Sequence, residues 1–310
     1  MKRFILIGAI VGFGSIALAE SGEGAGTYGY AWLRSGEGAR AMAMGGAMIT
    51  LAEPRDAVFW NPARIAGAMR PGFALGYRQL FEGVNAVHGA AVQPVGNQGA
   101  IAWSITGTSF GALVERDATG VETGSFSPYN ASVGLGHGLP LGSVLGSVHI
   151  GYQGRFLMQG IDDHRSSALS FDLGAEWSAG DLNLGAAVRN LGVELSPLEE
   201  TEEALPSVWA LGSSWSPSGA AFVAGADLEF SGGASMILRL GAEYIYGDRL
   251  AIRTGYTSQG REQSFEPSAA DGLTGGFGVS LGSGLIFDYA LAIQGDLGLG
   301  HRITIGYDFP

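Results

Sequence analysis

The residues best equipped for chemistry in this chain are charged and lie at alternate positions. Asp172 and Glu176, Asp227 and Glu229, and Arg239 and Glu243 are two or four apart. Arg189, Arg253, Asp288, Arg302 and Asp308 stand singly among apolar neighbours. Even spacing places side chains on one face of a β-strand. Opposite charges on the same face of neighbouring strands pair across a sheet. Two roles fit such a set: lining a path for a solute, or bracing a wall and whatever lies against it.

Catalytic sets are harder to assemble. Gly278-Val279-Ser280-Leu281-Gly282 has the G-x-S-x-G form, but that nucleophile needs a strand, a sharp turn and a helix. Here the five residues sit within an alternating run. His88, His137, His149, His164 and His301 are dispersed, and none neighbours a serine and an acid. Gly134-Leu135-Gly136-His137-Gly138 has no helix behind it to cradle a phosphate. Glu199, Glu200, Glu202 and Glu203 form an acidic loop, read as solvated, with loose calcium binding as the other option. No His, Asp or Glu spacing marks a metal enzyme. The chain has no cysteine, which removes disulfides, thiolate nucleophiles and Cys-zinc sites. We expect no cofactor, no metal and no catalytic activity.

The charges must be positioned by strands, and the apolar partners of each charge show which. Leu169, Phe171, Leu173, Ala175 and Trp177 oppose Ser170, Asp172, Gly174 and Glu176. Phe222, Ala224, Ala226, Leu228 and Phe230 oppose Gly225, Asp227 and Glu229. Leu238, Leu240, Ala242, Tyr244 and Tyr246 oppose Arg239, Gly241 and Glu243. Ile303, Ile305, Tyr307 and Phe309 oppose Arg302, Thr304, Gly306 and Asp308. Fourteen such runs are expected from Pro71 onward: 72–80, 85–93, 99–108, 129–138, 144–157, 167–178, 182–191, 208–216, 220–230, 236–246, 250–257, 273–281, 285–293 and 301–309. A polar excursion, 109–127, carries a small hairpin at Asp117–Gly120. Most runs have roughly the 9–11 residues a tilted membrane strand needs. Long and short connections alternate, as in a barrel with longer outer loops. Trp177, Tyr244, Tyr246, Tyr256, Tyr307 and Phe309 stand at strand ends, where lipid headgroups would lie. Glycine, 53 of 310 residues, is more than twice its ~7% average, and within strands it marks bends and close approach.

Residues 1–19 read as a signal peptide: Lys2 and Arg3, then an apolar stretch from Phe4 to Ala17, then Ala17-Leu18-Ala19 before the cleavage point. Cleavage removes two of the 17 basic residues and leaves 29 acidic ones. That acidity argues against nucleic acid. No later run is long and apolar enough for a membrane helix. Closed barrels are the other way to span a bilayer. The expected class is all-β: a 14-stranded antiparallel transmembrane β-barrel in the bacterial outer membrane, formed by residues 71–310.

Residues 20–70 do not alternate. Gly38–Ala47 is small and glycine-rich, and Asn61 before Pro62 reads as a helix N-cap with proline at the first helical position. The lumen is the natural place for this segment, which would plug it. Arg34, Arg40, Arg55 and Arg64 would then meet acids on the wall.

The stretch GARAMAMGGAMITLAEPRDAVFWNPARIAG resembles the N-terminal signature of the PorV/PorQ family, within the wider FadL-like outer-membrane barrels. The matching positions are Gly38, Arg40, Ala41, Met44, Gly45, Gly46, Ala47, Asp56, Ala57, Asn61, Pro62 and Ala63. Further echoes are AAVRNLG (186–192), LPSVWALG (205–212), LAIRTGY (250–256), DGLTGGFG (271–278), FDYAL (287–291) and the closing HRITIGYDF. The resemblance implies a monomeric fourteen-stranded barrel with the N-terminal segment in its lumen. It also implies a non-catalytic role in type IX secretion, with secretion-system components and secreted cargo proteins as partners. The final aromatic strand, with Tyr307 and Phe309, is what the barrel assembly machinery would read. The competing expectation is FadL-like uptake of hydrophobic compounds such as long-chain fatty acids. A strand kink beside an apolar internal pocket would favour uptake, and Tyr129–Gly138 is the expected irregular stretch. A closed wall around a polar, filled lumen would favour the secretion or scaffold role.

Overall fold

A strand with one apolar face leaves a row of unpaired backbone groups at its edge unless the sheet closes on itself. Here it closes. A computed structural model describes residues 29–80, 83–143, 146–198, 203–231, 236–247, 249–262 and 264–310. The expected signal peptide and Glu199, Glu200 and Glu202 lie outside the described residues. Among these residues the strands are β1 (Gly72–Gln79), β2 (Asn85–Pro94), β3 (Ala100–Ser109), β4 (Leu113–Arg116), β5 (Glu122–Phe126), β6 (Tyr129–Ser143), β7 (Ser147–Ile161) and β8 (His164–Ala179). They continue with β9 (Leu182–Ser196), β10 (Val208–Trp215), β11 (Phe222–Ser231), β12 (Ile237–Tyr246), β13 (Leu250–Thr257), β14 (Leu273–Ser280), β15 (Leu285–Ile293) and β16 (Leu299–Asp308). All but β4 and β5 form one closed barrel of fourteen strands. β4 and β5 make the separate hairpin expected around Asp117–Gly120.

Each strand pairs antiparallel with its neighbour. The ring closes where β1 meets β16, from Gly72 opposite Asp308 to Gln79 opposite His301. The phase is the one expected. Leu75, Trp103, Leu135, Phe171, Leu211, Ile252 and Ile305 are exposed on the outside. Asp172, Glu176, Arg189, Asp227, Arg239, Glu243, Arg253 and Asp288 are buried inside. An outward apolar surface with buried charge is the reverse of a soluble sandwich, and it is the arrangement a lipid-facing barrel requires. Phe73, Tyr307 and Phe309 cluster where the ring closes, with Tyr307 and Phe309 edge to face at 4.9 Å.

Two expectations are corrected. β6 to β9 run to 15 or 16 residues, longer than the expected runs 129–138, 144–157, 167–178 and 182–191. At ~3.3 Å per residue they span about 50 Å along the strand, more than a tilted membrane crossing uses. In β7 and β8 the polar residues Gln159, Arg165 and Ser166 carry this extension, since an antiparallel pair keeps bonding as long as its backbones stay in register. The ladder is also regular on both sides of Tyr129–Gly138. The irregularities fall at Pro140/Gly142 and in the β8–β9 ladder, at Ser167/Ala168 and Phe171/Leu173. The second β8–β9 shift arises at Asn190, whose φ is +61°. A single extra residue there forms a β-bulge. It keeps Leu191, Val193 and Leu195 on the outside by reversing the alternation that Leu182, Leu184, Ala186 and Val188 had set.

The barrel has a turn end, where β1 begins and β16 finishes, and a loop end. Connections such as Gly180–Asp181 lie at the turn end. The 110–128 excursion and the long connections after β9 and β13 lie at the loop end.

Candidate functional site

Glycines and prolines punctuate residues 29–71 and keep them out of the ladder. A 3-10 turn, Ala31–Arg34, precedes the one-turn helix α1 (Ala39–Ala43). Gly45 and Gly46 follow at φ +64° and +81°, and Gly46 N–H donates to Ala41 O at 2.8 Å, closing the helix. Left-handed residues of this kind are the usual helix stop. Farther on, Asn61 Oδ1 accepts from Ala63 N–H at 3.1 Å, capping the 3-10 helix Pro62–Gly67. The expected cap therefore forms, on a 3-10 rather than an α-helix.

This segment runs along the inside of the ring. Tyr30 bonds Ser166 at the loop end of β8, and Arg55 donates to Asp308 at the turn end of β16, at 2.9 Å. Between them its backbone meets inward side chains. Ala39 N–H donates to Thr304 Oγ1 (2.9 Å), Gly45 N–H to Thr274 Oγ1 (3.0 Å) and Ile49 N–H to Asp227 Oδ2 (2.9 Å). Asn61 Nδ2 donates to Ile49 O at 2.8 Å and to Ala175 O on β8 at 3.3 Å.

The wall admits this backbone because it is bare where the segment lies. Gly138, Gly151 and Gly174 are opposite one another across β6, β7 and β8. A Cβ on Gly151 would lie 2.2 Å from Pro62 C, and one on Gly138 would lie 2.2 Å from Ala66 N. Gly225, Gly241 and Gly255 form a second row across β11 to β13, under Leu51, Met44 and Gly45. Close backbone approach, rather than turn formation, accounts for much of the glycine in these strands.

Charges hold the rest. Arg40 meets Glu243 through two nitrogens, each at 3.0 Å, and also donates to Leu51 O at 2.6 Å. Arg253 bridges Glu243 (2.5 Å) and Asp288 (2.6 Å), so four groups form one buried chain. Arg189 and Arg239 share Glu229, at 2.9 and 3.4 Å. Arg64 pairs with Glu176, which also faces His149. Arg155 donates to Asp172 (2.8 Å) and to Asn190 Oδ1 (2.5 Å). Buried charge is tolerated only when paired and hydrogen-bonded in this way.

Of the positions singled out from the sequence, Arg40, Met44, Gly45, Gly46, Asn61, Pro62 and Ala63 touch the wall or bury against it. Asp56 stays local: its nearest cation is the adjacent Arg55, and its Oδ1 has no partner. Arg302 faces inward but bonds backbone oxygens rather than an acid. The arrangement of Glu37 with Arg78 and His88 was missed. Its signal was present in Arg78 alternating with Leu75 and Tyr77, but that strand is short. Asn190 was missed too, although the change of apolar phase on either side of it is visible in the sequence.

An inward apolar patch lies beside the β8–β9 irregularity. Tyr30, Leu157, Ala168 and Leu205 are buried together, with Trp32 and Leu33 packed against them. Leu157 of β7 is directly opposite Ala168 of β8, at one of the register shifts.

No family model and no curated protein matches the chain. Among solved structures, a TodX monoaromatic hydrocarbon channel lacking S2 and S3 superposes with TM-score 0.59 at 12% identity, covering 88% of this chain and 99% of that one. The CymD monoaromatic hydrocarbon channel gives 0.58 at 12%, covering 88% and 98%. A Pseudomonas aeruginosa FadL homologue gives 0.53 at 14%, covering 89% and 99%. The chain, a closed barrel of fourteen strands, shares the overall fold of these solved structures.

Proposed function

We propose that this protein is an outer-membrane channel for hydrophobic compounds, such as monoaromatic hydrocarbons or long-chain fatty acids. One observation carries the proposal: the patch of Tyr30, Leu157, Ala168 and Leu205 lies inside the wall at the place where the β8–β9 ladder is interrupted. A greasy solute entering from the loop end would meet apolar side chains there, beside an interruption of the β8–β9 ladder. The segment 29–71 acts in this proposal as a plug that blocks the bore to water and ions. The test is uptake of a labelled fatty acid and of labelled toluene by cells that depend on this barrel. Leu157→Asp should abolish uptake of at least one solute while the protein still migrates as a folded barrel. Undiminished uptake of both would overturn the proposal.

A second reading, the PorV/PorQ-like one, is favoured by a different observation. The residues that carry that resemblance, Arg40, Gly45, Asn61, Pro62 and Ala63 among them, are the ones fastened to the wall. A permanently fixed plug suits a scaffold or cargo carrier in type IX secretion better than a channel. Recovery of a secreted protein bound to the native barrel, with no bound lipid, would favour this reading. Under either reading, the mature chain begins after Ala19, and Tyr307 and Phe309 present the strand that the assembly machinery recognises.

A further inference from the structure

Arg34 and Arg302 stand apart from the other interior cations. Every arginine of the buried networks, from Arg40 to Arg253, reaches a carboxylate. Arg302 Nη1 and Nη2 reach only the carbonyl oxygens of Gly36 (2.8 Å) and Ser35 (3.2 Å). Arg34 makes no hydrogen bond among the described residues, and its Nε is buried without a partner. No described carboxylate lies within 4.0 Å of either guanidinium, whereas the two acids nearest in charge are engaged. Glu37 pairs with Arg78 and His88, and Glu229 pairs with Arg189 and Arg239.

Both line a single cavity of about 80 Å³ near the loop end of the interior, between the Arg34–Gly36 turn and β12 to β16. Arg239 is the third cation on its wall. Gln259, Gln294 and Thr257 add neutral polar groups, and Trp60 closes one side. Three guanidiniums around one small space repel each other, and the low dielectric of an interior strengthens that repulsion. A planar guanidinium fork is matched to the oxygens of a carboxylate or phosphate. A cavity of this size suits a group of a few heavy atoms.

We infer that the cavity lined by Arg34, Arg239 and Arg302 is a binding site for a small oxyanion, a carboxylate or phosphate group. Arg34 belongs to the inner segment, while Arg239 and Arg302 belong to the wall. A bound oxyanion would bridge them and fasten the loop-end half of the segment as Glu243 fastens Arg40. This site is separate from the apolar patch at β7–β9, and its existence does not depend on which solute, if any, the barrel carries.

The test uses the folded full barrel in zwitterionic detergent, at fixed ionic strength with chloride as the balancing salt. Inorganic phosphate and acetate are the free-anion probes, and phosphatidylglycerol in mixed micelles is the lipid-bound one. Saturable binding of phosphate or acetate at one site is expected, weakened at least tenfold in R34Q and in R302Q and unchanged in R116Q, which alters an exposed hairpin arginine. In chloride alone R34Q should raise the thermal midpoint, because it removes an uncompensated charge. In saturating phosphate the order should reverse, which a purely structural role for Arg34 would not produce. Phosphatidylglycerol that displaces phosphate with the same arginine dependence identifies a headgroup as the source, and failure to displace it identifies a free anion. Absence of saturable binding by all three probes, or binding indifferent to R34Q and R302Q, overturns the inference.

Discussion

Gly45 and Gly255 meet backbone to backbone across the barrel interior: a Cβ on Gly255 would lie 2.2 Å from Gly45 N, and a Cβ on Gly45 would lie 2.4 Å from Tyr256 O. Neither residue has room for a side chain, and Gly45 is also in the left-handed region at φ +64°. The neighbouring Gly241 meets Met44 O in the same manner. The inner segment is therefore seated on the wall by the absence of side chains as much as by the charges around it.

Gly255→Val should expel this part of the segment without dismantling the ladder, since valine suits a strand. Overpacking of this kind costs about 1–3 kcal/mol. The variant should still show heat-modifiable migration on a gel, while protease cleavage between residues 38 and 52 accelerates. Unchanged cleavage would mean that the segment is not held at this contact.

The wall was readable because each strand carries its own evidence: Phe222 to Phe230 and Leu238 to Tyr246 alternate cleanly, and period two admits one assignment of faces. The closure of β16 on β1 followed from the count of such strands. The route of the inner segment was not readable in detail. Its contacts are made by Gly138, Gly151, Gly174, Gly241 and Gly255, and a glycine in a sequence gives no sign of what approaches it. Arg40, Arg55 and Arg64 were expected to find wall acids and do so. Which acid each would find depended on the turns between Gly36 and Gly46, which no periodicity describes. Arg34 shows the limit of charge counting, since the chain is rich in acid and this arginine reaches no carboxylate among the described residues.

Glu243 joins the segment to the wall through Arg40 and to β15 through Arg253 and Asp288. Glu243→Gln leaves Arg40 buried without its close carboxylate, with Leu51 O, Met48 Sδ at 4.0 Å and the more distant Glu53 at 3.8 Å. Removal of one partner from a buried pair costs about 3–5 kcal/mol, mostly through the charge left behind. The R40Q/E243Q double variant should recover much of that loss. Urea unfolding in lipid vesicles measures the cycle, and additive single effects would show that the two groups are not coupled.

The β4–β5 hairpin offers a pH test outside the barrel wall. The Thr119 hydroxyl donates to Asp117 Oδ1 at 2.6 Å, and the Val121 and Thr119 N–H groups donate to the same oxygen at 3.0 and 2.9 Å. These bonds hold the Asp117 carboxyl below the ordinary range. A depressed value in the folded hairpin means that the turn is fully supported above the usual aspartate pKa of about 3.9 and loses that support as pH falls through the lower folded value. Amide exchange at Thr119 and Val121, corrected for its intrinsic pH dependence, should therefore show protection falling only below about pH 4. Asp117→Asn should remove the dependence, and an unchanged profile in that variant would assign it to another group.

Asn190 links the wall irregularity to the proposed function. Its φ of +61° suits asparagine or glycine, and its N–H donates to Asp172 Oδ1 at 2.7 Å while Nδ2 reaches Pro206 O at 3.0 Å. Asn190→Gly keeps the backbone geometry, so folding and uptake should survive with a loss of about 1 kcal/mol per hydrogen bond removed. Asn190→Val adds a left-handed penalty of about 1–2 kcal/mol. Deletion of Asn190 is the decisive variant, because it removes the bulge and slips the rest of β9 by one residue. Leu191, Val193 and Leu195 would then turn inward and Glu194 would turn toward lipid, a reversal the strand has no means of absorbing. The deletion should abolish heat-modifiable migration or, if the barrel forms, abolish hydrophobic uptake while N190G retains it. Uptake that survives the deletion would show that solute does not pass at β8–β9, and would leave the fixed-plug scaffold as the better account of the barrel.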